Sequence, residues 1–391
     1  MILDILSKEI QEFISNSLQS NIAKLALSKN PFPQVEWKEI LTQIVSKNKA
    51  KNKLPTWFQT KNIYYPSSIS IEQSSSESTA KYKASIVKGE VLADLTGGFG
   101  VDCYYFSQHI TTVFHCEKNQ DLSEIVAHNF KQLNKNNISC ISGDSTSFLK
   151  KYTDKFDWIY IDPSRRSDSK GKVFMLKDCL PNVPENLDFY FEKTDKILVK
   201  TAPILDITAG LNELKNVKSI HVVALENEVK ELLWVLEKNY DKEISVSVNN
   251  LQDKKTDTLS FILDSEEQLT YSLPKLFIYE PNAAILKSGG ANYLCTTYPV
   301  TKLHSHSHLF TNDKLIDFPG RRFIIDQQIP FTKNEIKKKL QGKKMNITTR
   351  NFPLSVDEIR RKFKINDGGN VYAFFTTNLN DEKIVLLCSK I

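Results

Sequence analysis

The sequence predicts a doubly wound, mainly parallel α/β sheet, preceded by a helical N-terminal unit and followed by a C-terminal α+β module. Three observations carry this reading. Between residues 90 and 240, short apolar runs alternate with amphipathic stretches. The run at 91–95 contains an acid, Asp94, and then breaks into Gly97, Gly98 and Gly100. A buried strand looks like this when it turns sharply into a helix and leaves backbone N–H groups bare for a ligand. After about residue 270 the rhythm changes, and short strands mix with one or two helices.

In chain order, Ile2, Leu3, Ile5, Leu6, Ile10, Phe13 and Ile14 fall at helical spacings. Asn30-Pro-Phe-Pro33 breaks the pattern, which resumes from Val35 to Val45. The run Lys47-Asn-Lys-Ala-Lys-Asn-Lys53 reads as a solvated basic linker. Ser74 and Glu77 stand at capping-box spacing, so a helix is expected to start there and run through Tyr82 and Ala84. Strands are expected at 91–95, 112–116, 139–141, 158–162, 196–200 and 219–224, with 245–248 and 259–263 as a closing antiparallel hairpin. Helices are expected at 102–108, 122–134 and 229–239.

Size and composition set outer bounds. A chain of 391 residues is expected to hold two or three domains. It contains no stretch of roughly 20 apolar residues and no basic-then-apolar leader. The six cysteines (103, 116, 140, 179, 295, 388) form no C-x-x-C pair, which fits reduced, mostly buried thiols in a cytoplasm rather than a zinc ribbon or disulfide framework. Charge is uneven: of the whole-chain +6, residues 271–391 carry 19 Lys+Arg against 10 Asp+Glu. A basic C-terminal module points to a polyanion partner, and a merely lysine-rich surface is the competing explanation.

In an open α/β sheet, ligands sit beyond the carboxyl ends of the strands. Four such ends carry acids here: Asp94 beside the glycine turn, Glu117 twenty residues beyond Gly97, Asp144 in Ser142-Gly-Asp144, and Asp162. A single acid in such a place is more often a helix cap. Four in register beside a glycine turn favour a nucleoside ligand, with Glu117 placed for ribose hydroxyls and Asp144 for an adenine amine. The pattern is D-x-x-G-G-x-G, so it departs from the dinucleotide G-x-G-x-x-G and lacks the Lys-Ser/Thr of a P-loop. An acid before the glycines, with no phosphate-clamping cation nearby, suits a ligand with a zwitterionic tail: S-adenosylmethionine (SAM).

Asp94-Leu-Thr-Gly-Gly-Phe-Gly100, Glu117, Gly143-Asp144 and Ile161-Asp-Pro-Ser-Arg-Arg166 resemble the motifs of class I SAM-dependent methyltransferases. More narrowly, the chain resembles a bacterial THUMP-like methyltransferase group. The matching stretches are Glu72-Gln-Ser-Ser-Ser-Glu77, the Asp-Pro-Ser-Arg-Arg run, Tyr279-Glu-Pro-Asn-Ala-Ala-Ile285, Phe318-Pro-Gly-Arg-Arg-Phe323 and Arg350-Asn-Phe-Pro353. The resemblance covers roughly residues 54–391. It implies a Rossmann-like methyltransferase sheet with ferredoxin-like and THUMP-like pieces after it, the true THUMP domain being an RNA-binding module. The implied division is a helical unit at 1–53, a methyltransferase domain at 54–268, a ferredoxin-like piece at 269–318 and a basic THUMP-like module at 319–391.

Carried over by motif, the cofactor residues are Asp94 (near the ammonium), Thr96, Gly97, Gly98, Gly100, Glu117 with Lys118, and Asp144 with Ser145. Gln73 and Glu77 belong to a segment laid across the cofactor. Asp162, Pro163, Ser164 and Arg165 would border the acceptor. Amino-methylating enzymes commonly present Asp/Asn-Pro-Pro-Tyr/Phe there, and Ser164 and Arg165 replace its last two residues. Arg165 and Arg166 suit a phosphate or a base plane, or an ion pair with a neighbouring acid. Lys337, Lys338, Lys343, Lys344, Arg350, Arg360 and Arg361 are the candidate RNA contacts, with Lys333 and Lys339 beside them.

Four further features have bland readings beside the sharp ones. Cys179 is the one cysteine placed for carbon methylation, and a buried thiol is the stronger reading. His304, His306 and His308 would share one face of a strand, without a carboxylate or Cys to complete a metal site, so no metal is expected. Trp57-Phe58 reads as a base platform or as a packing clamp, and Phe99 as a sulfonium contact or a core residue. The expected function is SAM-dependent methylation of structured RNA, tRNA or rRNA. The alternatives are a small-molecule or protein methyltransferase, and a SAM-binding, non-catalytic RNA-binding protein.

Overall fold

A computed structural model describes residues 3–165, 175–253 and 255–391. Ile2 and Arg166 lie outside the described residues. The chain divides into two compact units, residues 1–219 with 232–242 and residues 220–231 with 243–391.

The first unit opens with helices α1 (Lys8–Asn16), α2 (Ile22–Ala26) and α3 (Trp37–Lys53). Ile5, Ile10, Ile14, Val35, Ile40 and Ile44 form their shared core. The basic run at 47–53 is no linker. It is the last two turns of α3, held there because Ala50 is fully buried and Lys53 Nζ donates to the carbonyls of Ile71 and Glu72. Helices α4 (Pro55–Gln59), α5 (Ser68–Gln73) and α6 (Glu77–Ile86) follow. The cap of α6 also differs from expectation. Ser76 Oγ accepts from the Thr79 N–H at 3.2 Å, and Ser74 ends α5 instead.

Strands β1 (Gly89–Asp94), β2 (Ile110–Glu117), β3 (Ile138–Ser142) and β4 (Trp158–Ile161) alternate with α7 (Val101–Phe106), α8 (Gln120–Gln132) and α9 (Ser145–Lys151). A small ribbon, β5 (Ser164–Arg165) with β6 (Cys179–Leu180), precedes α10 (Val183–Lys193), β7 (Lys196–Thr201), α11 (Ile207–Glu213), β8 (Val217–Leu225) and β9 (Glu228–Glu237). The strand order β9-β7-β4-β1-β2-β3 holds five parallel strands, with β9 antiparallel on β7. Succession reverses at β1, which lies between β2 and β4, so a crevice opens beyond the β1 and β4 ends.

Residues 229–239 are not a helix. Leu232, Leu233, Trp234 and Leu236 are all fully buried, so the run is apolar on every side and has no period to read. Packing decides: Trp234 Nε1 donates to Thr201 Oγ1 at 3.0 Å, and its ring fills the space beside Gly210, where a Cβ would sit 2.4 Å from the indole.

In the second unit, β10 (Ser245–Leu251) and β11 (Thr256–Ile262) form the expected antiparallel hairpin. Then come β12 (Phe277–Pro281), α12 (Ala283–Ser288), α13 (Leu294–Thr297), β13 (Thr301–Lys302), β14 (Phe310–Asn312) and β15 (Gly320–Pro330). The chain ends with α14 (Lys333–Leu340), β16 (Asn346–Arg350), α15 (Val356–Phe363), β17 (Val371–Thr377) and β18 (Lys383–Lys390). The last seven-stranded sheet runs β13-β14-β12-β15-β18-β17-β16. Alternate residues serve its two faces: Ala373, Phe375 and Val385 cluster with Ile336, Leu340, Ile359 and Phe363 of α14 and α15, while Phe374 and Leu386 cluster with Ile278 and Phe323.

The three alternating histidines do not share a strand face. β13 stops at Lys302, whose buried ammonium donates to Asn292 Oδ1 and the Ser305 carbonyl at 2.6 Å each and folds the chain into a turn. His304 is held by Asp381 and Asn351, at 3.0 Å each. Among the described residues, no group of His, Cys, Asp and Glu is arranged to hold a metal ion.

Candidate functional site

The glycine turn between β1 and α7 needs each glycine for a different physical reason. At Gly97 a Cβ would lie 2.3 Å from the fully buried His115 ring. Gly100 has φ +80°, and its Cβ would strike Phe130 and Val126 at 2.6 and 2.8 Å. Gly98, at φ +52°, faces open space, its nearest neighbour being the Thr96 carbonyl at 3.8 Å. Gly97 therefore packs the turn against β2 and Gly100 packs it against α8, and the third leaves a cradle that a side chain would fill.

Around that cradle lies a cleft lined by Gln73 at the end of α5, Ser74 and Ser75 after it, Asp94 and residues 96–102 from the turn, Leu122, and Asp162. Asp94 is 1% exposed; its Oδ1 accepts from the Thr96 N–H at 2.9 Å and its Oδ2 from the Cys103 thiol at 3.1 Å. Desolvation outweighs those bonds, and with Asp102 and Asp162 nearby it raises the carboxyl to about 7. Thr96 ties two strand ends together, since its Oγ1 also accepts from the Asp162 N–H at 2.7 Å.

Glu117 bridges the turn and α8: the Gly98 N–H donates to Oε2 at 3.0 Å and the Asn119 N–H to Oε1 at 2.7 Å. A carboxylate offers about four lone-pair sites, so both oxygens keep capacity to accept further hydrogen bonds. The wall carrying Ser75 is pinned by a buried polar network. Lys83, fully buried, lies 3.3 Å from Asp102 and donates to Ser75 Oγ at 3.1 Å, while Ser75 and Tyr160 hydroxyls donate to Asp102 Oδ2 at 2.9 and 2.8 Å. Nothing in the sequence pattern singled out Lys83 or Asp102. An acid in the first turn of α7 was the available signal.

Other expected residues fall differently. Glu77 is no cofactor contact: it is buried, and Thr56 and Tyr105 occupy its oxygens at 2.6–2.8 Å, which locks α6 to α4 and α7. Asp144 caps α9 through the Ser147 N–H at 2.8 Å, and this bond holds its carboxyl below the usual range. Glu117, Asp144, its neighbour Ser145 and the exposed Lys118 stand outside the lining of the cleft, Glu117 reaching it only through its bond to the Gly98 N–H. Trp57 is fully buried against Phe99, Tyr104 and Tyr105, which makes it the packing clamp, and Phe99 is itself core. Cys179 is buried with its thiol 3.6 Å from the Met175 carbonyl.

Beyond the β4 end, Asp162 is half-buried, Pro163 buried and Ser164 exposed, with Ser164 and Arg165 paired to Leu180 and Cys179 in the β5–β6 ribbon. Lys200, at the end of neighbouring β7, is ion-paired with Asp162 Oδ2. The sequence had marked its strand but not its final side chain. In the second unit Lys337, Lys338, Lys343, Lys344 and Arg361 are exposed, whereas Arg360 pairs with Asp367 at 2.5 Å and Arg350 with the buried Glu280 at 2.7 Å. Arg321 Nε donates to the same Glu280 at 2.6 Å.

A parallel sheet in this order, with a glycine cradle and acids at its switch point, defines a Rossmann-like fold of the methyltransferase type. The chain carries two further recognisable pieces: residues 277–319 match the family described as a ferredoxin-like domain and residues 320–390 the family described as THUMP domain-like. Over 100% of its length it is similar to 98% of a Porphyromonas gingivalis W83 protein provisionally assigned as a methyltransferase, at 29% identity and a TM-score of 0.86. Weaker likenesses reach an rRNA methylase from Streptococcus thermophilus (13% identity, 41% of this chain and 94% of that one, TM-score 0.30) and TrmK from M. capricolum in complex with S-adenosyl-homocysteine (15%, 45% and 70%, 0.32). Likenesses that weak say nothing of function. No curated protein matches the sequence.

Proposed function

We propose that this protein is a SAM-dependent methyltransferase acting on structured RNA, tRNA or rRNA. The observation that carries the reading is the cleft itself, in which Asp94, the open Gly98 cradle and Asp162 converge at the ends of adjacent β1 and β4. In it Asp94 would face the ammonium of the methionine moiety, Gly97, Gly98 and Gly100 its backbone, Glu117 the ribose, and Gln73 the open side. SAM supplies an activated methyl group, and the protein supplies alignment and exclusion of water. Support for the activity comes from the full-length similarity to the P. gingivalis protein.

RNA as the acceptor is supported by the THUMP domain-like match at 320–390 and by the exposed lysines on and after α14. The functional division we propose keeps 54–268 for methyl transfer and 269–391 for RNA, with 1–53 as a helical cover. A cytoplasmic setting fits six free cysteines. Among the described residues no helix is long and apolar enough to cross a membrane.

Calorimetry with SAM tests the cofactor reading. Gly98→Arg should abolish binding in a protein that still folds, and unchanged binding by that variant would sink it. Nucleosides from total RNA of a deletion strain test the acceptor, since one methylated nucleoside should disappear.

A further inference from the structure

In the second unit, the β12–β15 pair gathers more positive charge than it neutralises. The register sets Glu280 opposite Arg321, and Gly320 lets the strands close there, since a Cβ would lie 2.1 Å from the Glu280 carbonyl oxygen. The Glu280 side chain is 3% exposed and serves two guanidinium groups. Arg321 Nε donates to its Oε2 at 2.6 Å and Arg350 Nη2 to its Oε1 at 2.7 Å. Both arginines nonetheless keep about a third of their side chains in solvent, 36% and 34%.

Each guanidinium carries more N–H donors than one shared carboxylate can accept. Arg321 turns Nε and Nη2 to Glu280, and its Nη1 has no partner among the described residues. The same guanidinium lies over the Phe323 ring, 5.6 Å from the centroid. Acceptors are short around it too. Arg350 Nε and the amide nitrogen of Asn282, itself 2% exposed and two residues beyond Glu280, are buried without a hydrogen-bond partner among the described residues. Desolvation first, and then Lys302, Arg350 and His306, push His308 below its ordinary pKa, so the local field is positive.

We propose that Arg321 and Arg350, braced on Glu280, form a binding site for a phosphodiester of RNA. This rests on the reading that the chain acts on RNA. One carboxylate between two guanidinium groups leaves one positive charge over, and a phosphodiester neutralises it. Its non-bridging oxygens accept charge-assisted hydrogen bonds from the outward guanidinium edges. The buried carboxylate holds those edges in place beforehand, so little side-chain freedom is lost on binding. Exposed lysines at 337–344 supply attraction, whereas a braced arginine pair fixes the register of the protein on the RNA.

The test measures binding of labelled bulk tRNA and rRNA to the full chain over a range of salt concentrations. Arg321→Gln should weaken binding about tenfold, lower the slope of log affinity against log salt by about one, and leave SAM affinity unchanged. Arg321→Lys should keep the slope and recover only part of the affinity, because an ammonium carries the charge without the fork. If Arg321→Gln matches the wild type in affinity and slope, the cluster is structural only; the phosphate site falls and the RNA reading stands. A loss of affinity at the wild-type slope would mark damage to the fold and overturn the site as well. A wild type that binds neither RNA would overturn the RNA reading and this inference together.

Discussion

Asp94 should make the proposed cofactor pocket pH-sensitive in a direction set by its burial. Its carboxyl is raised from 3.8 to about 7, first by desolvation. The folded value lies above the unfolded one, so the fold favours the protonated form. That contribution is fully present below about pH 4 and is lost as pH rises through about 7, an upper limit of about 4 kcal/mol at 1.36 kcal/mol per unit. A bound ammonium reverses the preference, because it favours the carboxylate. Between pH 5 and pH 7 the ionised fraction of free Asp94 climbs from about 1% to about 50%, so apparent affinity for an ammonium-bearing ligand should rise by up to about 50-fold.

Calorimetry with S-adenosylhomocysteine suits this test, since it keeps the ammonium and drops the sulfonium. The wild type should bind more tightly at pH 7 than at pH 5, and Asp94→Asn should bind weakly at both with little change between them. Melting without ligand gives the complementary readout: Asp94→Asn should gain on the wild type as pH rises from 5 to 8. Affinity that is flat with pH in the wild type, or that changes equally in Asp94→Asn, would refute the placement of the ammonium at Asp94.

Other perturbations probe the remaining parts. Gly100→Ala combines φ +80° with a Cβ 2.6 Å from Phe130, so it should cost about 3 kcal/mol, read as a lowered urea midpoint. Gly98→Ala, with its Cβ in open space, should cost only about 1 kcal/mol while weakening SAM binding; equal losses in the two variants would contradict the distinct roles of these glycines. Glu280→Ala leaves Arg321 and Arg350 without their shared buried carboxylate and should destabilise the second unit by about 2–3 kcal/mol, visible as faster amide exchange in β12 and β15. Replacing Lys337, Lys338, Lys343 and Lys344 together by Gln should flatten the salt dependence of RNA binding without moving the melting temperature. An unchanged salt slope would place the RNA elsewhere.

Most of the sheet was legible in sequence because its strands are bounded by glycines, acids and amphipathic helices. The β1 turn is the clearest case, since three glycines and Asp94 lie within seven residues. Reading failed where local pattern carries no information. Residues 232–236 are apolar all round, and the alternating histidines mimic a strand face although the buried Lys302 folds them into a turn. Glu77 looked like a cap or a cofactor ligand until Thr56 and Tyr105, distant in sequence, were seen to claim it.

By itself the sequence determined the class of fold, the place of the ligand cleft and the basic character of the C-terminal module. Each of these is written in residues near one another along the chain. Only the tertiary structure decided the partner of Asp162, because it and Lys200 meet through strand pairing across 38 residues. It likewise decided which basic groups of the second unit are already paired: Arg350 with Glu280 and Arg360 with Asp367. Electrostatic partners are chosen by distance in space, and sequence spacing beyond a helical turn does not encode that distance.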